Sequence, residues 1–165
     1  MGGSFIVIWI FKNFWRNEIM RLWHKDLISV LPKKQLLGQW RECCCIAKNI
    51  SLDGTPNHLL VNKIMHYPMS CFYTYGMSVA KEIKRRGYKC DVERFTHYFT
   101  FPHETNIVPI EDIYIGWHND RYLKQCVFNL QEKYDCGGLT VDEWKNILNY
   151  LVKVEKWKKI FLTAL

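Results

Sequence analysis

Residues 20–45 read M-R-L-W-H-K-D-L-I-S-V-L-P-K-K-Q-L-L-G-Q-W-R-E-C-C-C and predict the helix around which the rest of the chain is organised. Pro32 marks the start of this helix, because proline is well tolerated in the first helical turn. Apolar residues recur at helical spacing on one face, and polar residues fall on the other. The apolar face carries Leu36, Leu37, Trp40, Cys43 and Cys44, and the polar face carries Lys34, Gln35, Gly38, Arg41, Glu42 and Cys45.

Two residues of the polar face have the chemistry of a binding site. Arg41 and Glu42 are successive residues, about 100° apart around a helix, so both side chains can point into one groove. Gly38 leaves that groove open to a closely approaching ligand, because it has no side chain. A solvated amphipathic helix has the same pattern. From these residues alone, a ligand groove and an ordinary solvated face both stay open.

The order of residues in this stretch resembles the opening of the bacterial pyrimidine-dimer DNA glycosylase family, which is related to the phage UV endonuclease. Members of that family begin at the methionine of the motif. The resemblance is carried by Met20-Arg21-Leu22-Trp23-His24, Leu31-Pro32, Gln35-Leu36-Leu37-Gly38-Gln39 and Arg41-Glu42-Cys43-Cys44.

The resemblance implies an enzyme that attacks the sugar carbon of a damaged nucleotide with its N-terminal α-amine and then cleaves the strand through the resulting imine. By position, the amine belongs to Met20, and Glu42 is the acid/base of the reaction. Imine chemistry of this kind requires no metal and no cofactor. The residues expected to contact DNA are Arg21, Lys34, Gln35, Gln39, Arg41, Lys84, Arg85 and Arg86.

The chain also departs from the family pattern. The phage enzyme has a histidine at the position aligned with Gln35 and a further arginine near Cys45. Bacterial relatives tend to carry histidine where Trp40 stands. These departures concern the grip on the lesion more than the fold, so the identity of the preferred lesion stays open.

Composition sets the class of protein. A chain of 165 residues with 48% hydrophobic residues predicts one domain with one core. The net charge of +7 fits attraction to double-stranded DNA, although many proteins with a mildly basic balance bind no polyanion. Seven cysteines without a C-x-x-C pair suggest neither a disulfide framework nor a zinc ribbon. We therefore expect the protein in a reducing cytoplasm. We also expect it to be a monomer.

Residues 1–19 conflict with an α-amine at Met20. The apolar run at residues 5–11 is too short to span a bilayer, and no positive charge precedes it as in a secretory signal. We expect translation to start at Met20 and the leader to lie outside the fold, which then spans residues 20–165. The alternative is a real appendage that packs on the domain or touches a membrane surface.

Downstream patterns predict four further helices and an irregular, aromatic-rich segment at residues 88–118 that holds only a short helix near Val92. A loop is expected at residues 49–54, followed by a helix that carries Leu59, Leu60, Ile64 and Met65. The next helix begins at Met69, and another follows the cap at residues 118–120. Thr140 opens the last helix with a capping box, and this helix is expected to run almost to Leu165. The fold class is therefore mainly α, a single compact domain of about five helices.

Three functions follow from these patterns. The leading one is a DNA glycosylase with AP-lyase activity on pyrimidine dimers or related base damage, which must expose a nucleotide that the duplex shields. The second is a non-catalytic DNA-binding or helical interaction protein, in which the leader blocks the amine. The third is a peripheral membrane protein that uses residues 5–11 and the last helix.

Overall fold

The computed structural model describes residues 20–99 and 107–161, which form six α-helices and no β-strand. Two short 3-10 segments, Lys25–Val30 and Asn62–His66, lie between them. The mainly α-helical fold predicted from the sequence is confirmed. The helices are α1 (Lys33–Asp53), α2 (Met69–Arg85), α3 (Glu93–Thr96), α4 (Asp120–Asp135), α5 (Val141–Lys153) and α6 (Trp157–Phe161).

Helices α1 and α2 pack together and form the centre of the core. As predicted, α1 begins directly after Pro32. The two helices bury side chains at helical spacing, namely Leu36, Trp40, Cys43 and Cys44 from α1 and Phe72, Tyr75, Val79 and Ile83 from α2. Gly76 is required where α2 meets α3, because a Cβ atom at this position would lie 2.3 Å from Phe95 Cζ.

The caps of α4 and α5 follow the sequence signals. Asn119 accepts a hydrogen bond from the Tyr122 amide, which caps α4, and Thr140 with Glu143 forms the predicted capping box of α5. Helix α4 contributes Leu123, Val127 and Leu130 to the core.

Two expectations for residues 49–66 are wrong. Helix α1 continues through Asp53, because the apolar face of the helix extends to Ile50 at the edge of the core. The helix ends at Gly54, whose φ of 71° is left-handed. The helix expected to carry Leu59, Leu60, Ile64 and Met65 is a series of turns followed by a 3-10 segment. It packs through the buried Val61 and Ile64, and these two are three residues apart, which is 3-10 spacing.

The last predicted helix is interrupted. Helix α5 ends at Lys153, and Glu155 has a φ of 56°, so the chain turns before α6 begins at Trp157. Lys156 in this turn forms an ion pair with Asp26 of the first 3-10 segment, which ties the turn to the domain. The expectation that the helix approaches Leu165 concerns residues 162–165, which lie outside the described ranges, and so does the leader at residues 1–19.

The first described segment, residues 20–24, is held by side chains from three helices. Gln39 Oε1 of α1 accepts a hydrogen bond from the Trp23 amide at 2.7 Å. The single hydroxyl proton of Tyr75 on α2 is shared between the Trp23 carbonyl oxygen at 2.7 Å and Gln39 Oε1 at 3.0 Å. On α4, Tyr122 donates its hydroxyl to the Leu22 carbonyl oxygen at 2.6 Å. The segment is therefore fixed through its backbone.

Arg86 fixes the other end of the first 3-10 segment. Its two terminal nitrogens donate to the Leu31 carbonyl oxygen at 2.7 Å and the Ser29 carbonyl oxygen at 3.0 Å, and its Nε donates to Glu82. Glu82 also accepts two hydrogen bonds from Arg85. Burial opposes the ionised carboxylate, but the two arginines outweigh it and hold the pKa of Glu82 below its usual range.

Two buried histidines stack next to the first 3-10 segment. The rings of His24 and His118 lie 5.0 Å apart, and their Nδ1 atoms accept backbone hydrogen bonds from the Asp26 and Lys25 amides. An Nδ1 that accepts a hydrogen bond carries no proton. Burial lowers the pKa of both rings, and the neighbouring His24 adds to the effect on His118, whose pKa falls to about 2.

We predict that Gln39→Leu destabilises the domain by about 1–3 kcal/mol, because the buried Trp23 amide loses its acceptor. The measurement is the free energy of unfolding in urea. Gln125→Leu, at an exposed position of α4, is the matched control and should change stability by less than about 0.5 kcal/mol. Equal stability of Gln39→Leu and wild type would contradict the proposed role of the amide.

We predict that stability falls as the pH drops below 6.5. Because the pKa of His118 falls from 6.5 to about 2 on folding, the unfolded chain binds more protons below pH 6.5. His118 alone then removes about 2 kcal/mol by pH 5. His118→Gln cannot titrate and should flatten the dependence of unfolding free energy on pH, whereas exposed His66→Gln should not. An unchanged slope in His118→Gln would refute the assignment.

Candidate active site

Glu42 is connected to the first described segment through one side chain. Gln39 Nε2 donates a hydrogen bond to Glu42 Oε2 at 3.2 Å, while Oε1 of the same amide accepts from the Trp23 amide. Gln39 and Glu42 are three residues apart and therefore lie on the same side of α1. This bridge sets Glu42 close to the segment that begins at Met20.

The charges of Arg21 and Glu42 both affect the pKa of the Tyr122 hydroxyl. Burial is the main cause that raises the pKa of Tyr122 above its usual range; Arg21 lowers this pKa, and Glu42 raises it. Both charges therefore lie within electrostatic reach of the same atom. The Arg21 guanidinium also lies 5.3 Å from the centre of the Trp23 ring, a cation-π contact that orients it.

A cleft of about 470 Å³ opens at Arg21. Its cations are Arg21, Lys63 and Arg121, and no aspartate or glutamate of the described residues lines it. Trp117 and Tyr122 form an aromatic wall, with their ring centres 5.7 Å apart. Three amide side chains, Asn119, Gln125 and Asn129, complete its polar surface. Cations with aromatic and amide groups are suited to a phosphate backbone and its bases.

The outer face of α1 is open near Arg41. Lys34 and Arg41 are exposed, and Gln35 is partly buried. A Cβ atom added at Gly38 would meet only Arg41 Nη2, at 3.9 Å, among the described residues. The helix surface beside Gly38 is therefore open, and the Arg41 guanidinium lies close to Gly38.

Gln39 does not belong to the outer surface. We predicted it as a DNA contact, but it is only 1% exposed, and both ends of its amide are used inside the protein. The residue is in register with Leu36 and Cys43, so it lies on the buried face of α1. Gln39 therefore supports Glu42 and the first segment from behind.

The basic cluster at the end of α2 lies apart from Glu42. Arg86 contacts the chain at Ser29 and Leu31, near the start of α1, whereas Glu42 lies about 14 Å further along that helix. Arg86 is also engaged by protein groups through all three guanidinium nitrogens, which gives it a structural role that the sequence did not indicate. Lys84 and Arg85 are exposed beside it.

The sequence analysis did not predict the aromatic wall of the cleft. Trp117 lies two residues before the Asn119 cap, and Arg121 and Tyr122 lie in the first turn of α4, about 100 residues after Arg21. A sequence gives no direct signal for a contact across such a distance. A hint was available in the position of two aromatic residues and an arginine around the Asn119 cap.

The cysteines are free thiols. Cys43 and Cys44 are buried and Cys45 is exposed, as predicted, and burial raises the pKa of Cys43 well above its usual value. Within residues 20–99 and 107–161, no three His, Cys, Asp or Glu side chains are grouped so that they could hold a metal ion. None of the described helices is long and apolar enough to cross a membrane.

Comparison with known protein families finds a match over the segment that carries Met20, Gln39 and Glu42. A family model described as pyrimidine dimer DNA glycosylase matches residues 20–96. No curated protein and no solved structure matches the chain. The match begins at Met20 and ends at the last residue of α3, so it includes α1 and α2 but not the cleft wall on α4. Over residues 20–96, which are less than half of the chain, the protein is therefore similar to the pyrimidine dimer DNA glycosylase family.

Proposed function

We propose that the protein is a DNA glycosylase with AP-lyase activity on pyrimidine dimers or related base damage, and that the α-amine of Met20 is its nucleophile. One observation carries the proposal: the family match starts at Met20, and Gln39 links the backbone three residues later to the Glu42 carboxylate. The proposed acid/base is thus connected to the segment that begins with the proposed nucleophile.

The amine has a suitable reactivity without a cofactor. An α-amino group titrates near pH 8, so a useful fraction is neutral and nucleophilic at neutral pH. Its nitrogen bonds to the sugar C1′, the bond from C1′ to the damaged base breaks, and the base leaves with that electron pair and a proton. The lone pair on nitrogen then breaks the bond from C1′ to O4′ and opens the sugar ring, and O4′ takes a proton from water. The nitrogen keeps its remaining proton, which gives the cationic imine.

Glu42 performs the proton transfers around this imine. The cationic imine acidifies the proton on C2′, and the carboxylate removes it. The electron pair of that C–H bond then expels the 3′ phosphate oxygen from C3′, which breaks the strand. The negative charge of Glu42 also stabilises the cation before the proton moves.

The cations around these groups bind the phosphates of the damaged strand. Arg21 lines the cleft, Arg41 and Lys34 are exposed along α1, and Gln35 next to Lys34 is partly buried. Their role is to position the DNA, since phosphate contacts fix register and carry no sequence information. Lys84 and Arg85 extend the basic surface beyond the start of α1.

We predict that protein beginning at Met20 forms a borohydride-trapped adduct with DNA containing an abasic site, whereas protein that retains residues 1–19 forms little or none. A peptide nitrogen cannot replace the amine, because its lone pair is delocalised into the amide. The yield of trapped complex on a denaturing gel measures the difference. Equal trapping by both forms would remove the Met20 amine from the mechanism. Salt-sensitive DNA binding with no adduct from either form would favour a non-catalytic DNA-binding protein.

We predict that Glu42→Gln lowers the rate of strand cleavage about 10²- to 10⁴-fold and leaves DNA affinity nearly unchanged. The amide cannot accept the C2′ proton, but it keeps the size of the carboxylate. Single-turnover cleavage of ultraviolet-irradiated duplex DNA measures the rate, and Glu132→Gln on α4 is the matched control. Cleavage by Glu42→Gln at the wild-type rate would show that another group moves the proton.

A further inference from the structure

We infer that Leu59 and Leu60 form an apolar wedge that enters the base stack of duplex DNA, while Lys63 and Arg121 hold the phosphates beside it. This inference rests on the proposed function, because it assumes that the cleft receives DNA. Both leucines line the cleft that opens at Arg21. The inference gives that site a means of opening the duplex.

The two leucines are exposed although their neighbours are buried. Leu59 is 85% exposed and Leu60 is 47% exposed, whereas Val61 and Ile64 have no exposed surface. A single exposed leucine is unremarkable, but two in succession at the edge of a polar cleft form an apolar tip. Because the local packing uses Val61 and Ile64, the leucines are left available for a ligand.

The turn that carries the leucines is fixed on both sides. Asn49 of α1 donates its side-chain amide to the Pro56 carbonyl oxygen at 3.1 Å, and Asn57 donates its own to Asp53 at 2.6 Å. On the other side, the His58 amide donates to Asn62 Oδ1 at 3.2 Å. A wedge must keep its shape while bases separate around it, so rigid support is required.

The charges around the tip match the phosphates that flank a base step. Lys63, Arg121 and Arg21 line the same cleft as the leucines, and none of the described residues that line it is acidic. Proteins that kink DNA combine an apolar residue between two bases with cations on the adjacent backbone. The cations favour duplex DNA over a neutral apolar partner.

The first experiment measures unstacking without chemistry. Duplex DNA carries tetrahydrofuran, an abasic analogue that cannot form an imine, with 2-aminopurine as the adjacent base. Wild-type protein should raise the 2-aminopurine fluorescence as that base unstacks. The Leu59→Ala/Leu60→Ala variant should lose most of this rise and bind the duplex about 10- to 100-fold more weakly. Leu52→Ala, at a 69% exposed position that does not line the cleft, should behave as wild type.

A second experiment separates the wedge from the proposed chemistry. Single-stranded abasic DNA has no opposing strand to open, so the double variant beginning at Met20 should give borohydride-trapped adduct with it at the wild-type yield. Lys63→Met and Arg121→Met should each weaken duplex binding and reduce its dependence on salt.

The outcomes are distinct. An unchanged fluorescence rise in the double variant, or no rise with wild type, would overturn the wedge while the trapping result stands. A leucine-dependent rise with no adduct on either DNA would support the wedge and overturn the imine mechanism instead. Leucine-dependent binding to anionic lipid vesicles, without leucine-dependent binding to DNA, would overturn the wedge in favour of a membrane surface.

Discussion

The buried amide of Gln39 is the interaction on which the candidate site depends. Its oxygen accepts from the Trp23 amide and lies within hydrogen-bond distance of the Tyr75 hydroxyl, and its nitrogen donates to Glu42. A buried polar group destabilises a protein when it has no hydrogen-bond partner. When each of its polar atoms has a partner, it fixes the orientation of the groups that it contacts. Gln39 meets the second condition, so it fixes the backbone near Met20 and the Glu42 carboxylate relative to each other.

Much of the fold was predictable because its signals are local. The start of α1 at Pro32, the capping box at Thr140 and the apolar face of α2 each depend on residues within a few turns of one another. Gln39 was expected to contact DNA with other polar residues of the motif, although its spacing from Leu36 and Cys43 placed it on the buried face. Residue type and periodicity disagreed at that position, and periodicity was right.

Other features depended on distant partners and had no local signal. Arg86 follows two basic residues and was expected to bind phosphate, yet its donors are used by carbonyl groups more than 50 positions away. Leu59 and Leu60 were expected on one helix together with Ile64 and Met65. The turn that carries them packs through Val61 and Ile64 instead, and only the tertiary structure decides which pair is buried.

The site combines two parts of the chain with different relationships to known proteins. The elements proposed to carry the chemistry lie within the matched residues 20–96, whereas Trp117, Arg121 and Tyr122 lie beyond them. In our proposal, the first part forms and resolves the imine, and the second part shapes the surface that receives the damaged strand.

The central claim is that the nucleophile is the α-nitrogen of Met20, and peptide mapping of the trapped adduct tests it most directly. Protein beginning at Met20 is reduced with borohydride on abasic DNA and digested with nuclease and trypsin, and the sugar remnant is located by tandem mass spectrometry. The account predicts that the remnant is on the α-nitrogen of the Met20-Arg21 peptide. A remnant on a lysine side chain, such as that of Lys34, would contradict it.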